Sequence, residues 1–343
     1  MKPDARRTAR GSRRRLWLIG FAVVFVVVVI GSFALGDYPI SLSQLFHAVA
    51  SKLTGTGGQD NTVQLVVFSI RLPRILAGAL VGAGLSVAGA AFQGLFRNPM
   101  ASPDILGASA GAGFGAALMI FFGLGYAMVS VSAFVCGVVA VGAAYLVSVR
   151  ARRSPILGMV LAGIMVGSLF NAATSYIKLV ADPNNVLPSI TFWLMGSLAN
   201  VKPNQLAWAA LPVLGGMVVL FASRWKLNLL TMGDEEAQTM GVNIKVIRIL
   251  VVAAATLITS ACVSISGLIG WVGLVIPHFA RMIVGDDNRY MMPTSMLMGA
   301  SFMVLVDDLA RCLTTAEIPI GILTAFVGAP FFLYLILRRG GRL

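Results

Sequence analysis

Long runs of uncharged apolar residues are the feature of this sequence that most restricts its fold. Leu16–Leu35 alone gives 20 consecutive residues without a charge. A helix needs about 20 apolar residues to cross the hydrocarbon core of a bilayer, and several runs of similar length follow. Charged residues make up only 11% of the 343 residues and hydrophobic ones 58%, whereas soluble domains carry about 25% charged residues. The sequence therefore predicts an all-α polytopic membrane protein.

The first apolar run follows a strongly basic segment, since residues 1–15 contain seven Lys and Arg residues. A cleaved signal peptide has an apolar region of only about 7–15 residues. Leu16–Leu35 is therefore predicted to be an uncleaved first span with its N-terminus in the cytoplasm. Residues 36–70 are mixed in character and predict an outside loop that leads into the second span.

The remaining apolar runs divide into nine further spans, which makes ten. The predicted organisation is a basic cytoplasmic tail at 1–15, a ten-helix domain at 16–338 with a cytoplasmic loop at 225–246, and a short tail at 339–343. An outside segment at 178–204 is predicted to hold a short surface helix at 187–198. The further spans are predicted at 72–96, 105–125, 126–149, 155–177, 205–223, 246–265, 267–284, 293–313 and 319–337.

The distribution of basic residues supports ten spans. With this division, twenty of the 26 Lys and Arg residues fall on the cytoplasmic side and six fall outside, as the positive-inside rule requires. An odd number of spans would place one of the two terminal basic clusters outside, so both termini are predicted to be cytoplasmic. The orientation also explains the net charge of +13, which therefore does not indicate a nucleic-acid partner.

The most acidic interruption of the apolar chain is Leu227–Lys245. Thr231 is a candidate N-cap, and acids in the following first turn would be favoured by the positive end of the helix dipole. Gly241 suits the left-handed residue that ends a helix, and Asn243 can cap the next one. The pattern predicts a helix, a sharp turn and a second helix that offer a small apolar notch to a soluble partner. An ordinary solvated loop is the alternative.

Motifs for covalent chemistry are missing from the sequence. It has no GxxxxGK[ST] phosphate loop, no HExxH and no GxSxG, which disfavours an ATPase or a membrane-embedded enzyme. His47 and His278 are predicted to lie on opposite sides of the membrane. Cys136, Cys262 and Cys312 fall within apolar runs at no metal-binding spacing. We therefore expect neither a catalytic residue, nor a metal site, nor a resident cofactor.

A few charged residues lie close to the predicted outer ends of spans, where an unpaired charge is costly. Asp307 and Asp308 precede Arg311 by four and three residues, so one helix face can hold an ion pair. A proton-coupled transporter using the two acids is the alternative. Arg71 and Arg74 share a face at the outer start of the second span. They either face lipid or dock acidic residues of an extracytoplasmic partner through the fixed fork of the guanidinium.

A polar turn follows the second span at the cytoplasmic side. It contains Asn98-Pro99-Met100, and Pro103 comes shortly after. The two prolines prevent the turn from becoming helical. A rigid polar turn at this position is suited to a gate, although a plain connection between helices is equally compatible with the pattern.

Several long segments together resemble the permease subunits of ABC importers for ferric siderophores, haem and vitamin B12, the FecCD type. The likeness covers nearly the whole chain after residue 60. Its strongest part is RLPRILAGALVGAGLSVAGAAFQGLFRNPMASPDILGASAGAG at Arg71–Gly113. The other segments are Phe192–Leu198, Ile265–Arg281 and Glu317–Ile336.

The resemblance implies the type II ABC importer permease fold and a set of partners. It implies a homodimer in the cytoplasmic membrane of a bacterium or archaeon, with two separate ATPase subunits below it and a substrate-binding protein outside. ATP and Mg would be bound by the ATPase subunits, so this chain would hold no cofactor. The fifth and tenth spans would line the transport path.

The resemblance also implies roles for particular residues. The coupling pattern EAAxxxG is matched from Glu235 to Gly241, except that Glu236 replaces the middle alanine. The family turn Asn-Pro-Leu is matched with Met100 in place of leucine, and a second gate at Pro155 and Ile156 is matched poorly. The implied residues are Gly233, Asp234, Glu235, Glu236, Ala237 and Gly241 for ATPase coupling, Asn98, Pro99, Met100, Pro155 and Ile156 for the cytoplasmic gate, and Arg71, Arg74 and Arg311 for docking of the binding protein.

The cargo is not encoded by a recognisable pattern, because the binding protein selects it in such importers. A ferric siderophore is our first expectation, with cobalamin, haem and molybdate as alternatives. The segment Asp182–Trp193 lacks the TDxxLRxxTFW pattern associated with haem permeases, which disfavours haem. An ion-coupled secondary transporter is the alternative from a different class.

Overall fold

The protein, described by a computed structural model over residues 5–36, 38, 40–54, 61–150, 155–314 and 316–339, consists of helices joined by short turns. The predicted terminal tails lie partly outside these residues. A π-helical turn at Val66–Arg71 and a 3₁₀ turn at Pro103–Leu106 interrupt the α-helices. The helices are α1 (Ala5–Ala34), α2 (Leu42–Thr54), α3 (Asn61–Leu65), α4 (Leu72–Phe96), α5 (Ala108–Phe121), α6 (Tyr126–Arg150), α7 (Pro155–Val180), α8 (Val186–Met195), α9 (Pro203–Leu230), α10 (Asp234–Thr239), α11 (Ile244–Ser266), α12 (Val272–Val284), α13 (Asn288–Cys312) and α14 (Ile320–Arg339).

Each of the ten predicted spans corresponds to one helix of the structure, and most of the predicted ends agree within a few residues. Within the described residues, six helices are long and apolar enough to cross a membrane, and four shorter apolar helices have 10–17 residues. The six are Ser12–Ala34, Thr62–Phe96, Tyr126–Arg150, Ile156–Val180, Pro203–Leu230 and Ile244–Ser266. The described residues thus form an all-helical fold with several helices of membrane-spanning length, while the number ten stays a prediction.

In the part that the structure describes, the predicted outside loop at 36–70 is largely helical instead. Helix α2 packs onto α3 and the π-helical turn through a small apolar cluster that includes Ala48, Val63 and Val67. The helix then continues through the π-helical turn into α4, so the second span begins near Thr62 rather than at residue 72. The mixed polarity of these residues suggested a loop. The apolar cluster that holds them in helices forms only when segments distant in the sequence pack together.

Helix α4 is the most enclosed of the long helices and packs against α9, α11, α12 and α13. Glycines allow this close approach. A Cβ atom at Gly82 would lie 2.1 Å from the carbonyl oxygen of Gly299, and one at Gly89 would lie 1.7 Å from that of Gly273. Small residues at such contacts let helix backbones touch in a membrane protein, where apolar burial alone does not drive helices together.

The backbone is broken between α11 and α12. Both Gly267 and Trp271 have positive φ values, of 68° and 70°, and the amide of Ser197 donates to the carbonyl of Ser266 at 2.8 Å. The eighth span was predicted to begin at 267, but α12 begins only at Val272. The break leaves an irregular segment in the middle of an apolar region, where it faces two cavities described below.

Two ends of the bundle carry the predicted functional residues. Helix α4 connects them, because Arg74 lies in its first turn and Arg97 caps its last. We call the end with Arg71, Arg74 and Arg311 the arginine end. We call the opposite end, with α10 and the turn at 97–100, the α10 end.

Candidate functional sites

The short helix α10 begins at Gly233. This N-cap residue has a φ of 146°, which a side chain would strain, and a Cβ atom there would lie 1.8 Å from Oε2 of Glu236. Asp234, Glu235 and Glu236 occupy the first turn, as predicted. The predicted N-cap, Thr231, is wrong: it follows the last residue of α9, and its hydroxyl donates to the carbonyl of Asn228.

The reason for the error is that α9 runs seven residues beyond its predicted end. Leu227, Leu229 and Leu230 are all buried in the main core, so packing holds these residues in the helix up to Leu230. The polar residues after Arg224 suggested that the span had already ended. The helix continues past these polar residues because the leucines that follow pack into the core.

The turn after α10 has the predicted chemistry. Gly241 has a φ of 82°, and its amide donates to the carbonyl of Gln238 at 2.9 Å. The side chain of Asn243 accepts a hydrogen bond from the amide of Val246 and so caps α11. Helix, turn and helix are therefore arranged as predicted.

The outer surface of α10 combines acids and methionines. Ala237 is completely buried against the bundle, whereas Glu235 and Glu236 are exposed. Met232 and Met240, on either side of the helix, are 65% and 53% exposed. This surface presents negative charge next to adaptable apolar side chains, a combination suited to a protein partner.

Asp234 is paired with two arginines of the bundle. Its Oδ1 lies 2.6 Å from Nη2 of Arg97 and its Oδ2 lies 3.2 Å from Nη2 of Arg248. The two arginines come from the end of α4 and from α11. Local spacing had no means of finding the pair with Arg97, because the residues are 137 positions apart.

The predicted gate turn starts directly after Arg97, which caps α4 with a left-handed φ of 51°. Within the turn, Oδ1 of Asn98 accepts from the amide of Met100 at 2.9 Å, and the amide of Ala101 donates to the carbonyl of Asn98. The turn is therefore internally hydrogen-bonded. Met100 is 49% exposed, so it is free to contact another chain.

The second predicted gate lies at the start of α7. The helix begins at Pro155, where proline is tolerated because the first turn needs no backbone donor. Ile156 is half-buried and packs against the main core. The gating role of both turns stays a prediction.

At the arginine end, Arg74 joins two acids from distant parts of the chain. Its Nε lies 2.8 Å from Oδ2 of Asp307 on α13, and its Nη1 lies 2.7 Å from Oε1 of Glu317 just before α14. The side chains of Arg74 and Asp307 are only 11% and 3% exposed, while that of Glu317 is 41% exposed. One guanidinium thus ties together α4, α13 and the segment leading into α14.

Arg71 lies beside this cluster and is buried. Its guanidinium donates to the backbone carbonyls of Phe33 and Tyr38. A Cβ atom at Gly36 would lie 3.0 Å from Nη2 of Arg71 and 3.2 Å from Nη1 of Arg311. The segment after α1 therefore covers both arginines.

The predicted ion pair on α13 is present in one of its two forms. Arg311 binds Asp308, three residues before it, and donates to the carbonyl of Ser32 at 2.8 Å. Asp307 faces Arg74 instead of Arg311. The three predicted docking arginines do meet at one end, but each already has acceptors within the chain, and Glu317 is the most exposed charged side chain of the cluster. Their docking role stays a prediction.

Two cavities flank the break between α11 and α12. One, of about 600 Å³, is walled by Trp271 and Phe326 and reaches α14. The other, of about 510 Å³, reaches α7 and includes Asp104, Ser109 and Asn171. Leu268 and Gly270 belong to both linings, so the break separates the surfaces of the fifth and tenth predicted spans, the two that we expect to line a path.

A family model described as the FecCD transport family matches residues 23–338. The chain is 40% identical to the molybdate import system permease protein MolB of Haemophilus influenzae, over 94% of this chain and 96% of that protein. It is 41% identical to the cobalamin import system permease protein BtuC of Halobacterium salinarum, over 82% and 76%. A solved structure described as an inward-facing conformation of a metal-chelate type ABC transporter aligns with a TM-score of 0.84 at 38% identity, over 94% of this chain and 98% of that chain.

The helical bundle, together with these similarities, defines a class: the membrane permease of an ABC transporter. The chain belongs to the FecCD transport family. Permeases of this family work with ATPase and substrate-binding partners. The resemblance seen in the sequence is therefore confirmed.

Proposed function

We propose that this chain is the permease of a binding-protein-dependent importer whose power stroke enters through α10. Two ATPase subunits would contact the α10 end in the cytoplasm, and a substrate-binding protein would contact the arginine end outside. Both termini would then be cytoplasmic. The observation that carries this proposal is α10 itself, a short exposed helix whose buried Ala237 fixes it to the bundle while Glu235, Glu236 and Met240 face outward.

The path requires a second copy of the chain. In the most apolar 18-residue stretch of helix α7, only 22% of the residues are buried. Leu161, Ile164 and Met165 on this helix are each more than half exposed. A homodimer with α7 and α14 of each copy around a central path would cover these side chains. The exposed Met100 of each gate turn would then meet its counterpart and close the cytoplasmic side.

No covalent step occurs in this chain. A loaded binding protein would dock near Arg71, Arg74 and Arg311, and ATP binding would close the ATPase dimer and displace α10. That displacement would reach the gate turns at Asn98–Met100 and at Pro155–Ile156. ATP and Mg would be held by the ATPase subunits, and this chain would need no cofactor of its own.

The coupling role is tested by two variants of one residue. Gly241 has a positive φ of 82°, and a Cβ atom there would meet no other atom within 4 Å. Gly241→Ala therefore adds backbone strain alone, whereas Gly241→Arg adds the same strain and a long charged side chain on the proposed ATPase contact. We expect Gly241→Arg to abolish ATP-driven uptake in proteoliposomes while binding-protein docking persists, and Gly241→Ala to lose much less. Normal uptake by Gly241→Arg would refute the coupling role.

For the cargo, we propose a metal chelate of the ferric-siderophore type. The support is the similarity to a transporter described as metal-chelate type and the apolar walls of the cavity at Trp271 and Phe326, which can accommodate the organic shell of a chelate. Molybdate is the second candidate, because a relative named for it is 40% identical over 94% of the chain. Cobalamin and haem are further alternatives with relatives named for them.

Titration of the substrate-binding protein encoded with this permease decides the cargo. The ligands are a ferric hydroxamate chelate, cobalamin, hemin and molybdate, and binding is measured by calorimetry. We expect submicromolar binding of the ferric chelate and none of molybdate. The reverse result would replace our first candidate by the second.

A secondary transporter driven by protons is the rival from another class. It would have to use Asp307 or Asp308, and each of these carboxylates already has an arginine partner. Uptake by the permease alone, following a proton gradient and ignoring ATP, would favour the rival. We expect no uptake without the ATPase subunits.

A further inference from the structure

Asp234 is the one side chain of α10 that joins two other helices of the bundle within the described part of the chain. Its two carboxylate oxygens are divided between partners: Oδ1 lies 2.6 Å from Arg97 and Oδ2 lies 3.2 Å from Arg248. We propose that Asp234 is the positioning residue that transmits movement of α10 to the gate turn through Arg97. This inference rests on the proposed function of α10 as the ATPase contact, and it adds the route by which the movement leaves that helix.

Arg97 is well placed to receive the movement. It is the residue immediately before the gate turn, and its backbone is in the left-handed conformation with its amide bonded to carbonyls of the last turn of α4. Asn98, the next residue, holds the turn together through its bond to the amide of Met100. A pull on the guanidinium of Arg97 therefore acts at the hinge between a rigid helix and a rigid turn.

Arg248 supplies the fixed side of the bridge. The side chain of Arg248 is only 13% exposed. The residue lies in the first turns of α11, and 67% of the residues in the most apolar 18-residue stretch of that helix are buried. Arg97 is 37% exposed, so it has room to move. One carboxylate thus connects a partly exposed arginine at the gate turn to a largely buried arginine in the bundle.

Two simpler roles for Asp234 make different predictions. Stabilisation of the α10 dipole is already provided by Glu235 and Glu236 in the same first turn, so it does not require the arginines. A direct contact with the ATPase would be lost together with binding of the ATPase subunits. Transmission, in contrast, predicts that the subunits stay bound while uptake for each ATP hydrolysed falls.

The test is a double-mutant cycle with the complete complex of permease, ATPase subunits and binding protein in vesicles of phosphatidylethanolamine and phosphatidylglycerol. The cargo is whichever of ferric hydroxamate, cobalamin, hemin and molybdate the binding protein selects. We expect Asp234→Asn and Arg97→Gln each to lower uptake per ATP about twofold, which corresponds to the contribution of about 0.5 kcal/mol expected from an exposed ion pair. The double variant should be no worse than either single one, because both remove the same contact.

Conservative and control variants complete the cycle. Asp234→Glu should recover more than half of the uptake per ATP, since it restores the carboxylate. Asp286→Asn removes an exposed acid that pairs with Arg281 at 3.6 Å, and Arg224→Gln removes an exposed arginine at the same end. Both controls should behave like the unchanged protein.

A second measurement follows the gate and does not depend on the cargo. Spin labels on Met240→Cys and Met100→Cys, with the three native cysteines replaced, report the distance between α10 and the gate turn before and after ATP binding. If α10 and the gate turn move as one unit, the distance between the labels stays nearly constant on ATP binding. We expect this in the parent protein, and a clear change of that distance in Asp234→Asn.

Three results would overturn the proposal: unchanged uptake per ATP in Asp234→Asn, multiplied losses in the double variant, or loss of the ATPase subunits from Asp234→Asn. None of them is the result that refutes the proposed function, which is normal uptake by Gly241→Arg. The two ideas therefore fail separately.

Discussion

The two ends of the molecule carry ion-pair bridges of opposite composition. At the arginine end, one arginine, Arg74, lies between two acids. At the α10 end, one acid, Asp234, lies between two arginines. The inner pair of the first bridge, Arg74 and Asp307, is 11% and 3% exposed, whereas Arg97 and Asp234 in the second are 37% and 40% exposed.

The difference in burial indicates a difference in use. Charges in a low-dielectric environment interact strongly and are costly to separate, so the Arg74 bridge is suited to hold helices together. Charges in contact with water are screened by salt, and their pairs are worth about 0–1 kcal/mol. The Asp234 bridge can therefore open and close during a transport cycle with little loss of stability.

The largest effect is expected from breaking the buried pair. Asp307→Asn leaves the guanidinium of Arg74 with Glu317 as its remaining carboxylate partner among the described residues, and loss of one partner of a buried pair costs about 3 kcal/mol. We expect a clear drop in the free energy of unfolding, measured by denaturant titration in detergent micelles. Asp286→Asn, at an 85% exposed acid, is the control. Equal stability of the two variants would remove the distinction between the two ends.

A smaller effect is expected from Glu317→Gln. Its carboxylate is 41% exposed, so after allowance for screening the loss in stability should be about 1 kcal/mol or less. The variant also tests docking, because it frees one side of Arg74. If Arg74 receives an acid of the binding protein, affinity for that protein should rise severalfold in Glu317→Gln, as measured by surface plasmon resonance. Unchanged affinity would assign Arg74 a structural role alone.

Smaller still is the stability effect of Asp234→Asn. An exposed bridge of this kind contributes about 0.5 kcal/mol, and we expect that difference in the unfolding free energy to vanish at high salt, where the Debye length falls to about 3 Å. The Asp307→Asn difference should persist at the same salt concentration. A large, salt-independent loss in Asp234→Asn would mean that the α10 bridge is structural too.

The smallest effect concerns Asp287, which caps α13 at the α10 end. Burial raises the pKa of its carboxyl, but hydrogen bonds from the Arg289 amide, Asn228 and the Arg289 side chain outweigh burial, and the pKa is lowered from 3.8. Stability from this group is therefore fully present above pH 3.8 and is lost as the pH falls through the lower native pKa. We expect thermal unfolding scans between about pH 5 and pH 3 to show a slightly weaker pH dependence in Asp287→Asn, which keeps a capping oxygen. Identical pH profiles would contradict this assignment.

Most of the helices could be predicted from the sequence because apolar run length is a local property. The errors arose where packing extends or interrupts a helix. Three buried leucines hold the end of α9 in the helix beyond its apolar run, a small cluster folds residues 42–54 into α2, and the break at Gly267–Trp271 shortens the start of α12. The local chemistry of α10 was largely predicted as well, since glycines with positive φ and an asparagine cap have recognisable patterns.

The sequence by itself determined the class of the protein, the approximate positions of its helices and the residues that gather at its two ends. Tertiary structure alone decided which charges meet. The i,i+3 rule found Asp308 and Arg311 because a helix fixes that distance, but Arg74 meets Asp307 and Arg97 meets Asp234 across 233 and 137 positions. Such pairs depend on how whole helices pack, and packing is set by the volumes and small residues at every interface rather than by the two charged residues themselves.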